Sequence, residues 1–88
     1  MQFEGALVKE QGVTFGILIV KPHVLNVPAD RDQMVGFGRS VWGAVPIVLM
    51  KQDGRTVPTY WGRPDIVRFL ANIHPGRIPW KRYTVSGV

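Results

Sequence analysis

The sequence predicts an α+β fold: a single mixed β-sheet of four to five strands with two helices, in the order β-β-α-β-β-α-β. Three observations predict it. Residues 13–20 read Val-Thr-Phe-Gly-Ile-Leu-Ile-Val, and their second half is apolar at every position, as in a strand covered on both faces. The apolar spacing then lengthens to a helical period at Met34, Phe37 and Val41. Finally, an apolar run at 45–50 leads through Asp53-Gly54 to a returning strand and a helix opened by Pro64. With 88 residues, 1–88 is expected to be one small globular domain.

The elements follow in order. Phe3 to Lys9 alternates as a short strand, and Gln11-Gly12 is a turn signal, so the first two strands should form an antiparallel hairpin. Pro22 ends the second strand, and residues 22–28 are expected to be a loop. Asp30 with Gln33 resembles a capping box ahead of the first helix, which Gly43 should stop. Val35, Gly38 and Trp42 lie beside its apolar stripe, and Gly36 and Gly38 fit a helix packed closely on a sheet. Pro46 should be the first residue of the next strand. Gln52-Asp53-Gly54-Arg55 should turn a hairpin into an edge strand at 56–61, marked as an edge by Pro58. Pro64 opens the second helix, with Ile66, Phe69, Leu70 and Ile73 as its buried stripe, and it should run to His74. A last extended piece lies within 77–86. The central strand–helix–strand unit should be a right-handed crossover between parallel strands.

Pro46-Ile47-Val48-Leu49-Met50-Lys51, then Asp53-Gly54, Gly62 and Phe69-Leu70, resembles the closing strand–turn–strand–helix of thioredoxin-fold proteins. The resemblance covers about a third of the chain and implies a reduced thioredoxin-like α/β arrangement, with a cis proline at Pro46. That family's redox pair is Cys-x-x-Cys, and this chain has no Cys. The resemblance therefore concerns architecture, and thiol–disulfide chemistry is excluded.

Composition narrows the function classes. Apolar residues make up 45% of the chain and charged residues 19%, the balance of a protein that folds. The start, Met1-Gln2-Phe3-Glu4-Gly5, lacks the basic-then-apolar pattern of a signal peptide, and no apolar run approaches the ~20 residues of a membrane helix. A cytoplasmic protein with no membrane association is expected. The two His, with no Cys and no acidic cluster, match no metal-ligand spacing, and no cofactor motif is present.

Catalytic constellations are equally sparse. His23 follows the central strand, at the kind of strand end where ligands gather in α/β sheets. A small enzyme centred there is one reading; a loop histidine with a single hydrogen bond is the other. Ser40 and Ser86 are the only serines, one on the first helix and one at the C-terminus, so a Ser/His/Asp relay has no support in spacing. Asp30 and Asp32 suit a helix start better than paired-carboxylate catalysis. Gly36-Phe37-Gly38 lies within a helical pattern and is not followed by G-K-[ST], unlike a phosphate loop. No catalytic residue is assigned, and the protein is expected not to be an enzyme.

The charge distribution is more informative. Residues 1–44 carry four basic side chains (Lys9, Lys21, Arg31, Arg39) and four acidic ones (Glu4, Glu10, Asp30, Asp32). The whole net charge of +5 therefore lies after residue 44. There, aromatics interleave with bases: Tyr60-Trp61-Gly62-Arg63 and Trp80-Lys81-Arg82-Tyr83. Trp61, Arg63, Trp80, Lys81, Arg82 and Tyr83 are the candidate binding residues. Trp, Tyr and Arg are common interface anchors, which favours an acidic protein partner or a second copy of the chain. The same interleaving suits single-stranded nucleic acid, the alternative partner. Trp and Tyr also anchor small cores, and Lys and Arg between them also make solvated strand faces.

Overall fold

β1 (Gln2–Glu10) and β2 (Val13–Val20) pair antiparallel, from Gly5↔Leu18 to Glu10↔Val13. The computed structural model describes residues 2–10, 12–51 and 58–84. Gly12, in the turn between the strands, has φ 79°, a conformation that a side chain would strain. The expected loop after β2 contains a 3-10 turn at Pro22–Asn26.

The first helix, α1 (Pro28–Trp42), starts two residues before Asp30. Its N-cap is Val27, which makes no side-chain cap, so the expected Asp30–Gln33 capping box does not form. Pro28 sets the start instead: its fixed φ suits the first helical position, and its missing N–H would have no helical partner there. Gly43 ends the helix as expected, at φ 85°, with its N–H donating to the Arg39 carbonyl at 2.8 Å.

The next strand, β3 (Ile47–Lys51), lies parallel to β2, from Gly16↔Ile47 to Val20↔Lys51. Pro46 sits just outside it, and its carbonyl accepts from the Gly16 N–H at 2.9 Å. Lacking an N–H, Pro46 joins the ladder only as an acceptor. The Val45–Pro46 peptide is trans, unlike the thioredoxin-type proline that the resemblance implied. The expected turn at 52–55, with Thr56 and Val57, lies outside the described residues. The edge strand is β4 (Thr59–Trp61), antiparallel to β3.

Pro64 opens α2 (Pro64–Ala71), with Asp65 in its first turn. The helix stops three residues short of His74. His74 instead caps a 3-10 turn at Pro75–Arg77, its Nδ1 accepting from the Gly76 N–H at 2.9 Å. The chain then returns as β5 (Lys81–Thr84), antiparallel to β1 from Gln2↔Thr84 to Gly5↔Lys81.

The described strands form one mixed sheet, in the order β4-β3-β2-β1-β5. Each face carries its own apolar cluster. On one face Phe15, Ile17, Val48 and Met50 meet Ile66 and Leu70 of α2. On the other, Leu18, Ile47 and Leu49 meet Met34, Val35, Phe37 and Trp42 of α1. Helix thus covers sheet on both sides, which is why β2 is apolar at successive positions. Ile17 and Leu18 are both fully buried on opposite faces, and such burial stabilises by roughly 1.5–3 kcal/mol per side chain.

Glycines set how closely α1 approaches. The Trp42 indole lies across Gly16 and Gly5: a Cβ on Gly16 would overlap the ring, 2.6 Å from Cζ3, and one on Gly5 would be 3.0 Å from Cη2. Gly38 is buried, and a Cβ there would lie 3.0–3.1 Å from Ile47 and Leu18 atoms. Gly36, by contrast, faces open space, so the close-packing reading holds for only one glycine of the pair. Phe3 stacks on Tyr83 at 5.0 Å, and Tyr83 meets Trp42 edge-on at 5.4 Å, tying β5 to the α1 side of the sheet. Among the described residues no helix is long and apolar enough to cross a membrane.

Candidate functional site

The six candidate binding residues fall into two groups on opposite edges of the sheet. Trp61 ends β4, and Arg63 precedes α2; Lys81, Arg82 and Tyr83 belong to β5, with Trp80 just before it. Three strands lie between the two edges, which places them about 19 Å apart at the usual strand spacing. The two groups do not make one continuous surface.

In the β5 group the rings are engaged in packing. Trp80 is half-buried against the α2-side cluster and its indole N–H donates to the Pro75 carbonyl at 2.9 Å. Tyr83 is half-buried on the other face, stacked on Phe3. Lys81 is exposed, and Arg82 donates to Glu4 at 3.3 Å in an exposed ion pair. Such a pair adds ~1 kcal/mol or less.

The β4 group is arranged differently. Trp61 is 36% exposed, on the α1 side of the sheet. Arg31 of α1 lies over it, with Cζ 4.9 Å from the ring centroid, a cation–π contact. Nη1 of Arg31 donates to the Leu25 carbonyl at 2.8 Å, holding the guanidinium in place. Arg31 is half-buried and has no carboxylate partner among the described residues. That contact, worth about 0.5–1 kcal/mol at an exposed site, favours this orientation of the indole.

Beside Trp61 a groove of about 810 Å³ opens between α1 and the end of β4. Val35, Val45, Pro46 and Ile47 supply its apolar lining, and Asp32, Arg39 and Arg63 its charges. Arg63 forks onto Asp65 through Nε and Nη2, at 2.8 and 2.7 Å. That hydrogen-bonded guanidinium holds the Asp65 carboxyl at about 2, well below its ordinary 3.8. The pair is exposed, so salt screens it. Sequence reasoning missed Arg31 and Arg39. The signal available was their spacing: Arg31, Val35 and Arg39 recur every fourth residue and so share one helix face.

A second cleft, about 680 Å³, lies under the end of α2, with Ile19, Met50, Ile73 and Trp80 in its walls and His74 and Glu4 among its polar residues. Because His74 Nδ1 accepts from Gly76, the neutral ring carries its proton on Nε2. His23 is exposed on the first 3-10 turn and makes no hydrogen bond to a hydroxyl or carboxylate among the described residues. Ser40 Oγ donates to the Phe37 carbonyl within α1. Among the described residues no three metal-ligating side chains converge. No family model matches the chain, and neither a curated protein nor a solved structure matches it.

Proposed function

We propose that this chain is a non-catalytic binding domain that contacts an acidic protein partner through the β4 edge and the neighbouring face of α1. One observation carries the reading: Trp61 is exposed, with Arg31 over one face of its indole, at the mouth of an apolar groove flanked by Arg39 and Arg63. A tryptophan side chain has only two rotatable bonds to order on binding, and Trp and Arg are among the side chains most enriched as energetic anchors. The net charge of +5 steers acidic partners toward the chain and opposes pairing of two copies. A catalytic relay has little support: His23 stands exposed with no hydroxyl or carboxylate on it among the described residues, Ser40 donates to a helix carbonyl, and His74 accepts from the Gly76 N–H. Nucleic acid is the less supported partner, because the rings of Trp80 and Tyr83 are packed rather than presented for base stacking.

The test is a titration with poly-L-glutamate and, separately, a single-stranded oligodeoxynucleotide, at low and at moderate salt. Polyglutamate binding that Trp61→Ala or Arg63→Glu weakens, and Arg82→Glu leaves unchanged, supports the reading. Oligonucleotide binding that falls steeply with salt and depends on Arg82 replaces it with the nucleic-acid alternative.

A further inference from the structure

We infer that the α1–β4 groove recognises a two-part feature in its partner: a segment in which a carboxylate side chain stands beside a large apolar one. The inference rests on the reading above and specifies which chemistry the partner must bring. The groove has two chemically distinct parts. Its floor is apolar, built from Val35 of α1 and the Val45-Pro46-Ile47 run that leads into β3. Its rim is cationic, with Arg39 on the helix side and Arg63 on the strand side. Arg31 adds a third guanidinium behind Trp61. Two carboxylates oppose these three, Asp32 and Asp65, and Asp65 is held on Arg63. A ligand with charge alone would leave the floor wet, and one with apolar surface alone would leave Arg31 and Arg39 without a carboxylate partner among the described residues.

The partner is another protein rather than a second copy, because two copies each carrying +5 repel and the groove itself is cationic.

The experiment is a titration of isotope-labelled protein with three short synthetic peptides: alternating glutamate and leucine, alternating glutamate and serine, and alternating lysine and leucine. The Glu–Leu peptide should shift the amides of 31–39 and 59–63 and bind about tenfold more tightly than either of the others, the gain from partly burying a leucine side chain. Val35→Ser should remove that advantage while leaving Glu–Ser binding in place. If Glu–Ser binds as tightly as Glu–Leu at the same amides, the two-part inference is overturned and the acidic-partner reading stands. If Lys–Leu binds as tightly, or if shifts appear only at 81–84, both fall. Concentration-dependent shifts of the groove amides without peptide would make a second copy the occupant and overturn the inference.

Discussion

Replacing Gly16 by Ala tests whether α1 is set on the sheet by the Trp42 indole. Elsewhere in a strand the change would help, since Gly is about 0.5–1 kcal/mol worse than Ala in a regular element. Here the new methyl would meet Trp42 Cζ3 at 2.6 Å and Cδ2 at 3.0 Å, both atoms of a rigid ring. The ring cannot yield by bending one bond, so it must slide or α1 must lift. Overpacking of this kind costs about 1–3 kcal/mol. Expelling the ring sets the ceiling, about 3–5 kcal/mol, the cost of deleting a buried aromatic. We expect a net loss of about 2 kcal/mol. For a domain of this length that lowers Tm by roughly 8–16 °C. Urea unfolding followed by far-UV circular dichroism measures it without relying on tryptophan emission. The same substitution in a Trp42→Ala background should be neutral or mildly favourable, giving a coupling of about 2 kcal/mol. If Gly16→Ala costs as much without Trp42 as with it, the indole does not set the spacing and the reasoning fails.

Gly36→Ala should raise stability by about 1 kcal/mol through helix propensity alone. Gly38→Ala should gain less or lose, because its methyl meets Ile47 and Leu18; equal gains at both sites in urea unfolding would contradict the packing described. Tyr60 has a buried hydroxyl without a hydrogen-bond partner among the described residues, and burial raises its pKa. Tyr60→Phe should therefore leave stability unchanged or raise it by about 1 kcal/mol, and a loss of that size would reveal an unseen partner. Trp80→Ala should cost about 3 kcal/mol, since its ring packs on the α2-side cluster, whereas Trp61→Ala should cost about 1 kcal/mol or less; thermal melts that reverse this order would refute the assignment of the two rings. The Asp65 carboxyl is depressed, so its contribution is present above the ordinary 3.8 and disappears as pH falls through about 2. A carboxyl-carbon NMR titration should show that midpoint at low salt, and Arg63→Ala should return it toward 3.8.

Element types were legible wherever one residue settles the local backbone. Pro64 and Gly43 mark a helix start and a helix stop, and both stand where their chemistry requires. The same proline logic applied to Pro28 would have found the start of α1, but Asp30 with Gln33 nearby offered a competing cap. The end of α2 was misjudged because Ile73 continues the apolar stripe beyond the last helical turn. It is half-buried from the loop instead, while His74 turns to cap the next segment. The site was harder to read. Trp61 and Trp80 look alike in sequence, each an aromatic with a base nearby. What separates them is sheet order, set by β5 pairing with β1 across nearly the whole chain, and no local pattern encodes that pairing. The Trp42 seat depends on Gly5 and Gly16 lying diagonally across neighbouring strands on one face of the sheet, which becomes visible only once the hairpin register is known.

The pairing of β1 with β5 also fixes how the molecule would respond to tension. Gln2 stands opposite Thr84, so the first and last described residues leave the sheet at the same corner. A pull applied between them meets the rungs of that ladder one after another: Gln2 from Thr84, then Phe3 from Tyr83. The load never spreads over several hydrogen bonds together, so β5 would peel away like a zipper at low force. The second rung is also the stacked Phe3–Tyr83 pair, and parting it withdraws Tyr83 from the edge of Trp42. Mechanical opening would thus reach the packing beneath α1 after only two rungs.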